Sequence, residues 1–187
     1  MNPGPRSGRM ALITGTAAWL LIGLASAFGA SHASAACEHR YAAPAKISTR
    51  EAKRAAICVI NHQRSRHGVP PVGASGELSH AARRHSRYIQ KHRCFSHRCD
   101  GEAGLMKRVA RSGYLAGARS AGCGEAIGWG KMTPKRMVKR WMASPAHRAI
   151  LLDRDFKRIG IGTLWGTPWK PKANAAIYTA DLCYRRG

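Results

Sequence analysis

The sequence has 187 residues and carries 32 Lys and Arg against 9 Asp and Glu, a formal net charge of +23. The length suits one ordinary domain, and the charge excludes an acidic protein and favours anionic partners through long-range attraction. The basic residues are scattered, without a single tract or interleaved aromatic residues, so specific nucleic-acid binding is not expected.

Residues 1–35 have the order of a secretory signal peptide. Arg6 and Arg9 precede an uncharged, largely apolar stretch at 10–30, and Ala33-Ser34-Ala35 supplies the small residues of a cleavage site. A retained transmembrane anchor is the alternative, since the stretch is long enough to span a bilayer. Cleavage lowers the count of Lys and Arg from 32 to 30 and leaves a net charge near +21. We therefore expect a secreted protein that acts in the cell envelope or outside the cell.

All six cysteines lie after this leader: Cys37, Cys58, Cys94, Cys99, Cys123 and Cys183. An even number in an exported chain predicts disulfide bonds, and the lack of a C-x2-C pair argues against structural zinc. Many pairings are possible. Cys94 and Cys99 are close enough to staple one loop. Cys37, in an N-terminal arm at 36–49, could pair with Cys58, which would leave Cys123 and Cys183.

The first half of the chain predicts helices. One opens at Arg50, after a serine or threonine cap, and ends at Gly68. A second spans 76–92 and carries His85 on its apolar face, where a hydrogen-bonded core histidine is favoured over a ligand. A short third helix covers 103–112.

The second half predicts strands with helical insertions. A buried strand is expected at 126–129, a helix that begins at Pro134, and a short helical turn at 145–152. Alternating and β-branched residues then predict strands at 158–164 and 175–184, which can form a hairpin. Helices on both sides of a small, mainly antiparallel sheet are the economical packing, in an α+β protein.

Several short segments, taken together, resemble the CAP superfamily (cysteine-rich secretory, antigen 5 and pathogenesis-related 1 proteins, or SCP domain), in its bacterial secreted branch. They are Asn61-His62-Gln63-Arg64, Phe95-Ser96-His97, Gly124-Glu125-Ala126, Trp141-Met142-Ala143-Ser144-Pro145-Ala146-His147-Arg148 and Arg158-Ile159-Gly160-Ile161-Gly162. The resemblance covers about residues 50–184, and a CAP domain is expected at 50–187. It implies a three-layer α-β-α sandwich with a cleft that contains two histidines and two acidic residues.

The resemblance assigns the cleft residues one by one. His97 matches the first histidine, Glu125 the first glutamate and His147 the second histidine. Ser144 stands near the position of the second glutamate and cannot supply a carboxylate. Ala126 replaces the asparagine of the family's Gly-Glu-Asn motif. What remains of the cleft is a His-Glu-His triplet.

Three interpretations of this triplet follow from its chemistry. His97, His147 and Glu125 could hold a divalent metal such as Zn²⁺, with an open position for water. Ser96 or Ser144 beside a histidine could act as a nucleophile, although no activating motif is present. Glu125 could instead hold both histidines by charge-assisted hydrogen bonds, which is a structural role.

The leading functional hypothesis is a secreted, non-enzymatic CAP-domain protein that binds lipids, anionic wall polymers or proteins. The alternative is a metal-dependent hydrolase acting on peptide, nucleic acid or cell-wall material through the His-Glu-His cleft. A membrane-directed effector also fits the charge but has no dedicated motif. A monomer is expected.

Overall fold

The computed structural model describes residues 37–187, so the leader predicted at 1–35 lies outside the described residues. No helix of the described part is both long and apolar enough to cross a membrane. The elements follow the predicted order, in sequence α1 (Thr49–Arg66), β1 (Gly73–Ala74), α2 (Gly76–His92), α3 (Leu105–Arg111), β2 (Ser120–Gly130), α4 (Pro134–Ala143), α5 (Pro145–Leu152), β3 (Arg158–Trp165) and β4 (Ala176–Arg186), with a 3-10 turn at Pro44–Lys46 in the arm.

The four strands form one sheet in the order β1-β3-β4-β2. β4 lies between β3 and β2 and is antiparallel to both, as the predicted hairpin requires. β1 was not predicted, because its two residues are too few to show a pattern; it pairs in parallel with Arg158 and Ile159. β2 begins six residues before the predicted strand, because its first half is only partly buried and therefore lacks an apolar signature.

Alternate residues of β4 face opposite layers of the sandwich. Tyr178, Ala180 and Leu182 pack in the main core with residues of α1 and α4. Ile177 and Cys183 pack instead with residues of α2 and its neighbours. The sheet is therefore covered on both faces, and the expected α+β sandwich with a mainly antiparallel sheet is confirmed.

Two glycines of β3 allow α2 to lie directly against the sheet. A Cβ atom at Gly160 would stand 2.1 Å from the carbonyl carbon of Leu78, and one at Gly162 would stand 2.3 Å from that of Ala82. Because these atoms belong to the helix backbone, no side-chain movement could make room. The Gly-Ile-Gly segment of the family resemblance is thus a packing requirement.

The α1 segment of the resemblance is also structural. Asn61 accepts a hydrogen bond from the Val72 amide and donates one to its carbonyl oxygen, at 2.9 and 3.0 Å. Arg64 is fully buried, and its guanidinium donates to the backbone carbonyls of Pro70, Leu151, Asp153 and Phe156. These bonds fasten the C-terminal half of α1 to two loops.

Three disulfides are present, and the pairing considered from the sequence is confirmed. Cys37–Cys58 ties the N-terminal arm to α1, and Cys94–Cys99 closes the loop after α2. Cys123–Cys183 joins β2 to β4 at directly opposed positions. The Cys94–Cys99 bridge matters most for the site, because the loop that it closes contains His97.

Candidate functional site

The structure brings His97 and Glu125 together. His97 lies in the loop closed by Cys94–Cys99, and its side chain is 55% exposed. Glu125 projects from β2 and is buried. The His97 Nδ1 atom lies 2.8 Å from Glu125 Oε1, so the imidazole is oriented by a carboxylate beneath it.

The other carboxylate oxygen of Glu125 is taken by an arginine that sequence reasoning did not single out. Arg108, on α3, forms an ion pair through Nη2 with Glu125 Oε2 and also donates from Nη1 to the carbonyl oxygens of His97 and Ala103, each at 3.0 Å. Burial alone would raise the pKa of Glu125. The hydrogen bond from His97 and the charges of His85 and Arg108 outweigh it and lower that pKa, so Glu125 is ionised at neutral pH.

His85 is a third residue that lies close to Glu125, on its buried side. It is fully buried, as its place on the apolar face of α2 predicted, and its Nδ1 lies 2.8 Å from Glu102 Oε1. Its Nε2 stands 3.7 Å from Glu125 Oε1. We call His85, Glu102, Arg108 and Glu125 the buried charge cluster. His85 and Glu125 were singled out from the sequence, whereas the only sequence signal for Arg108 was its place next to Val109 on a short helix.

Asp181 is a further buried acid that the sequence analysis missed. It stands opposite Glu125 in the β2–β4 register, is fully buried, and its carboxyl oxygens have no hydrogen-bond partner in the described structure. Burial raises its pKa well above the usual aspartate value, and the negative charge of Glu125 raises it further. Asp181 therefore holds its proton to a higher pH than an exposed aspartate does. A lone aspartate within an apolar strand was the available signal.

His147 faces His97 across the cleft. Ser144, which stands near the position of the family's second glutamate, adds no carboxylate to the site. The two imidazole centroids are 6.4 Å apart. The pKa of His147 is lowered by partial burial and then by His97 and Arg140, which keeps this side chain neutral at pH 7. Ser144 lies where α4 ends and α5 begins, and its side chain does not cap α5.

The donors of the cleft do not fit a zinc ion, which was one of the three interpretations of the triplet. A catalytic zinc site needs three protein ligands. Both oxygens of Glu125 are engaged, one by His97 and one by Arg108, which leaves two imidazoles. Within residues 37–187 no group of three His, Cys, Asp or Glu side chains is placed to hold a metal ion. Glu125 thus orients His97, as the structural interpretation of the triplet requires, whereas the described structure shows no hydrogen bond from His147 to Glu125.

A serine nucleophile is not assembled either. The Ser96 hydroxyl accepts a hydrogen bond from the backbone amide of Arg98 at 3.3 Å. In the part of the chain that the structure describes, neither Ser96 nor Ser144 is hydrogen-bonded to a histidine. General-base activation requires such a contact.

Comparison with known proteins agrees with this fold and these motifs. The sequence matches the profile of the CAP family, described as the cysteine-rich secretory protein family, over residues 58–168. The chain belongs to the CAP family. It is 31% identical over 123 residues to the uncharacterized protein YkwD of Bacillus subtilis (strain 168), an alignment that covers 64% of this chain and 44% of that relative. The chain thus spans less than half the length of this relative.

Two solved structures share the fold of this CAP-family chain. An outer surface protein from Borrelia burgdorferi superposes with a TM-score of 0.62 and 21% identity, covering 75% of this chain and 97% of that one. An extracellular SCP-domain protein from Bacillus anthracis gives a TM-score of 0.59 and 22% identity, covering 73% of this chain and 43% of that one. These similarities establish the SCP fold.

Proposed function

We propose that this CAP-family protein is exported and acts without catalysis, by binding anionic surfaces such as lipid headgroups or wall polymers. The observation that carries the proposal is the separation of its charges. Three of the nine acidic side chains, Glu102, Glu125 and Asp181, are buried, whereas among the described Lys and Arg side chains only Arg64 and Arg108 are. The accessible surface is therefore more strongly cationic than the composition suggests, and it attracts polyanions at long range.

The outer side of α2 illustrates this surface. Four basic residues are exposed there and form no salt bridge in the described structure: Arg83, Arg84, Arg87 and Lys91. Each unpaired cation near an anionic membrane surface is worth about 1 kcal/mol of binding. Their spacing along one helix allows several of them to act on the same surface.

The state of the cleft supports binding over hydrolysis. A hydrolase of the metal-dependent kind would need the carboxylate of Glu125 for metal or water. That carboxylate is held by Arg108 and His97. Removing it from Arg108 would leave a buried guanidinium without its ion pair, which is costly.

The proposal of export rests on the sequence of the leader and on the disulfides. Three disulfides are typical of proteins in oxidising compartments. The names of the two similar structures, an outer surface protein and an extracellular protein, agree with such a location.

Sedimentation with vesicles and with isolated wall polymer tests this proposal. Protein purified after export is mixed with phosphatidylglycerol-containing vesicles, with neutral phosphatidylcholine vesicles and with anionic wall polymer, while NaCl rises from about 0.05 to about 0.5 M. We expect binding to at least one anionic surface, weak binding to neutral vesicles, and loss of binding as salt rises. Absence of binding to every anionic surface at low salt would contradict the proposal.

A further inference from the structure

Three aromatic side chains, two of them exposed and one half-buried, adjoin one another at the cleft loop. The ring centroids of Phe95 and Trp129 are 6.4 Å apart, and those of Trp129 and Trp169 are 5.2 Å apart. Phe95 is 39% exposed and Trp169 is 49% exposed. We call these three residues the aromatic ridge. Adjoining exposed aromatic rings of this kind mark an interaction surface.

The ridge is assembled from three segments that the fold holds in place. Phe95 lies in the loop closed by Cys94–Cys99, Trp129 lies near the end of β2, and Trp169 lies in the connection between β3 and β4. Trp129 also packs against the small core cluster that contains Ile177. The rings are thus positioned before any partner arrives, which reduces the entropy lost on binding.

Cations adjoin the ridge directly. Trp169 lines a surface cavity of about 460 Å³ together with Arg87, Lys91 and Arg93, and no acidic side chain lines it. Arg87 and Lys91 are one helical turn apart on α2, and both are exposed. Aromatic and cationic groups therefore share one face.

We propose that the aromatic ridge and these cations form a membrane-docking face for anionic lipid bilayers. The rings enter the headgroup region, where amphipathic tryptophans are favoured, while the cations contact lipid phosphates. This inference rests on the proposed function and narrows it to one class of anionic surface and to one face of the domain.

The ring geometry favours a bilayer over a polysaccharide. The planes of Phe95 and Trp129 are inclined at 78°, and those of Trp129 and Trp169 at 79°. Neighbouring rings are thus nearly perpendicular, and they offer no row of coplanar faces on which successive sugars could stack. Insertion into the interfacial region of a bilayer requires only that the rings project from the protein surface.

The first test removes the rings. The variant F95S/W169S is compared with Y41S/M106S, which removes two exposed apolar side chains elsewhere, 62% and 41% exposed. Protein purified after export, with its N-terminal residue determined to show that the leader is gone, is titrated with phosphatidylglycerol vesicles. We expect the ridge variant to bind at least about tenfold more weakly and the control to stay within about threefold of the wild type.

The second test removes cations in two variants of equal net charge. R87Q/K91Q and R136Q/K139Q each lose two exposed cations, the second pair from α4. The first variant is expected to lose about 25-fold in affinity for the same vesicles, and the second less than about fivefold. Because all four residues are exposed, both variants should fold, so this comparison decides the question if F95S/W169S proves unstable.

The outcomes separate this inference from the proposed function. If the wild type binds anionic vesicles and each variant loses no more than its control, the docking face is wrong and the proposed function stands. If the wild type binds wall polymer but not vesicles, the membrane inference fails alone. If it binds neither, both fail. Selective loss in the ridge and α2 variants supports both.

Discussion

The loop closed by Cys94–Cys99 contacts the buried charge cluster and contributes one ring to the aromatic ridge, yet these two regions have opposite character. His97 and Phe95 are two residues apart within the Cys94–Cys99 loop. His97 contacts a set of buried charged groups that pair with one another, whereas Phe95 belongs to a set of rings that are exposed or half-buried. The acid and the histidine of a recognisable family motif can thus be engaged by groups of their own protein, while the groups left for a partner lie beside them.

The largest effect is expected from breaking the cluster. Arg108→Met leaves the buried Glu125 carboxylate without its cation, which should lower the free energy of unfolding by about 3–5 kcal/mol. Urea denaturation followed by circular dichroism measures this. The matched control is Arg84→Met, since Arg84 lines the same small surface cavity as Arg108 but is exposed, and its expected effect is within about 0.5 kcal/mol. Equal effects of the two substitutions would refute a structural role for the cluster.

A smaller effect is expected from opening the loop that links the two regions. C94A/C99A removes a bridge across a sequence separation of 5, which should cost about 2 kcal/mol of stability. Vesicle binding should weaken as well, because Phe95 loses its fixed position. Removing Cys123–Cys183, with a separation of 60, should cost about 4 kcal/mol without freeing the ridge. Unchanged vesicle binding in C94A/C99A would show that the loop need not be fixed.

The smallest effect concerns pH. Because the folded protein lowers the pKa of His147 below its usual 6.5, the unfolded chain binds this proton more readily. His147 therefore costs the protein stability as pH falls below about 6.5, by less than about 0.5 kcal/mol since the ring is partly exposed. His147→Gln should reduce the pH slope of the unfolding free energy in that window, with His62→Gln as an exposed control. An unaltered slope would contradict this.

Much of the fold could be predicted because local signals agreed with it. The serine cap before α1, the proline that opens α4 and the alternation in β3 each have a physical meaning within a few residues. Contacts between segments that are far apart in the sequence were harder to predict. That Arg64 would be fully buried, or that Gly160 would touch the backbone of α2, depends on segments far apart in the chain.

The candidate site was only half predictable. His97, Glu125 and His147 came from motif resemblance, and the structure brings His97 close to each of the other two. Arg108, Glu102 and Asp181 carry no motif, and their importance arises from burial beside Glu125. Arg108 and His97 occupy both carboxylate oxygens of Glu125, which favours the structural role over the metal site among the interpretations that the sequence left open.

The most direct test of the central claim is vesicle binding by the variant H97A/H147A. Both imidazoles of the cleft are removed while the cations of α2 and the aromatic ridge are retained. Because neither imidazole belongs to the docking face, we predict an affinity for phosphatidylglycerol vesicles within about twofold of the wild type and the same dependence on salt. Loss of binding in a folded H97A/H147A protein would contradict the account and place the function in the cleft.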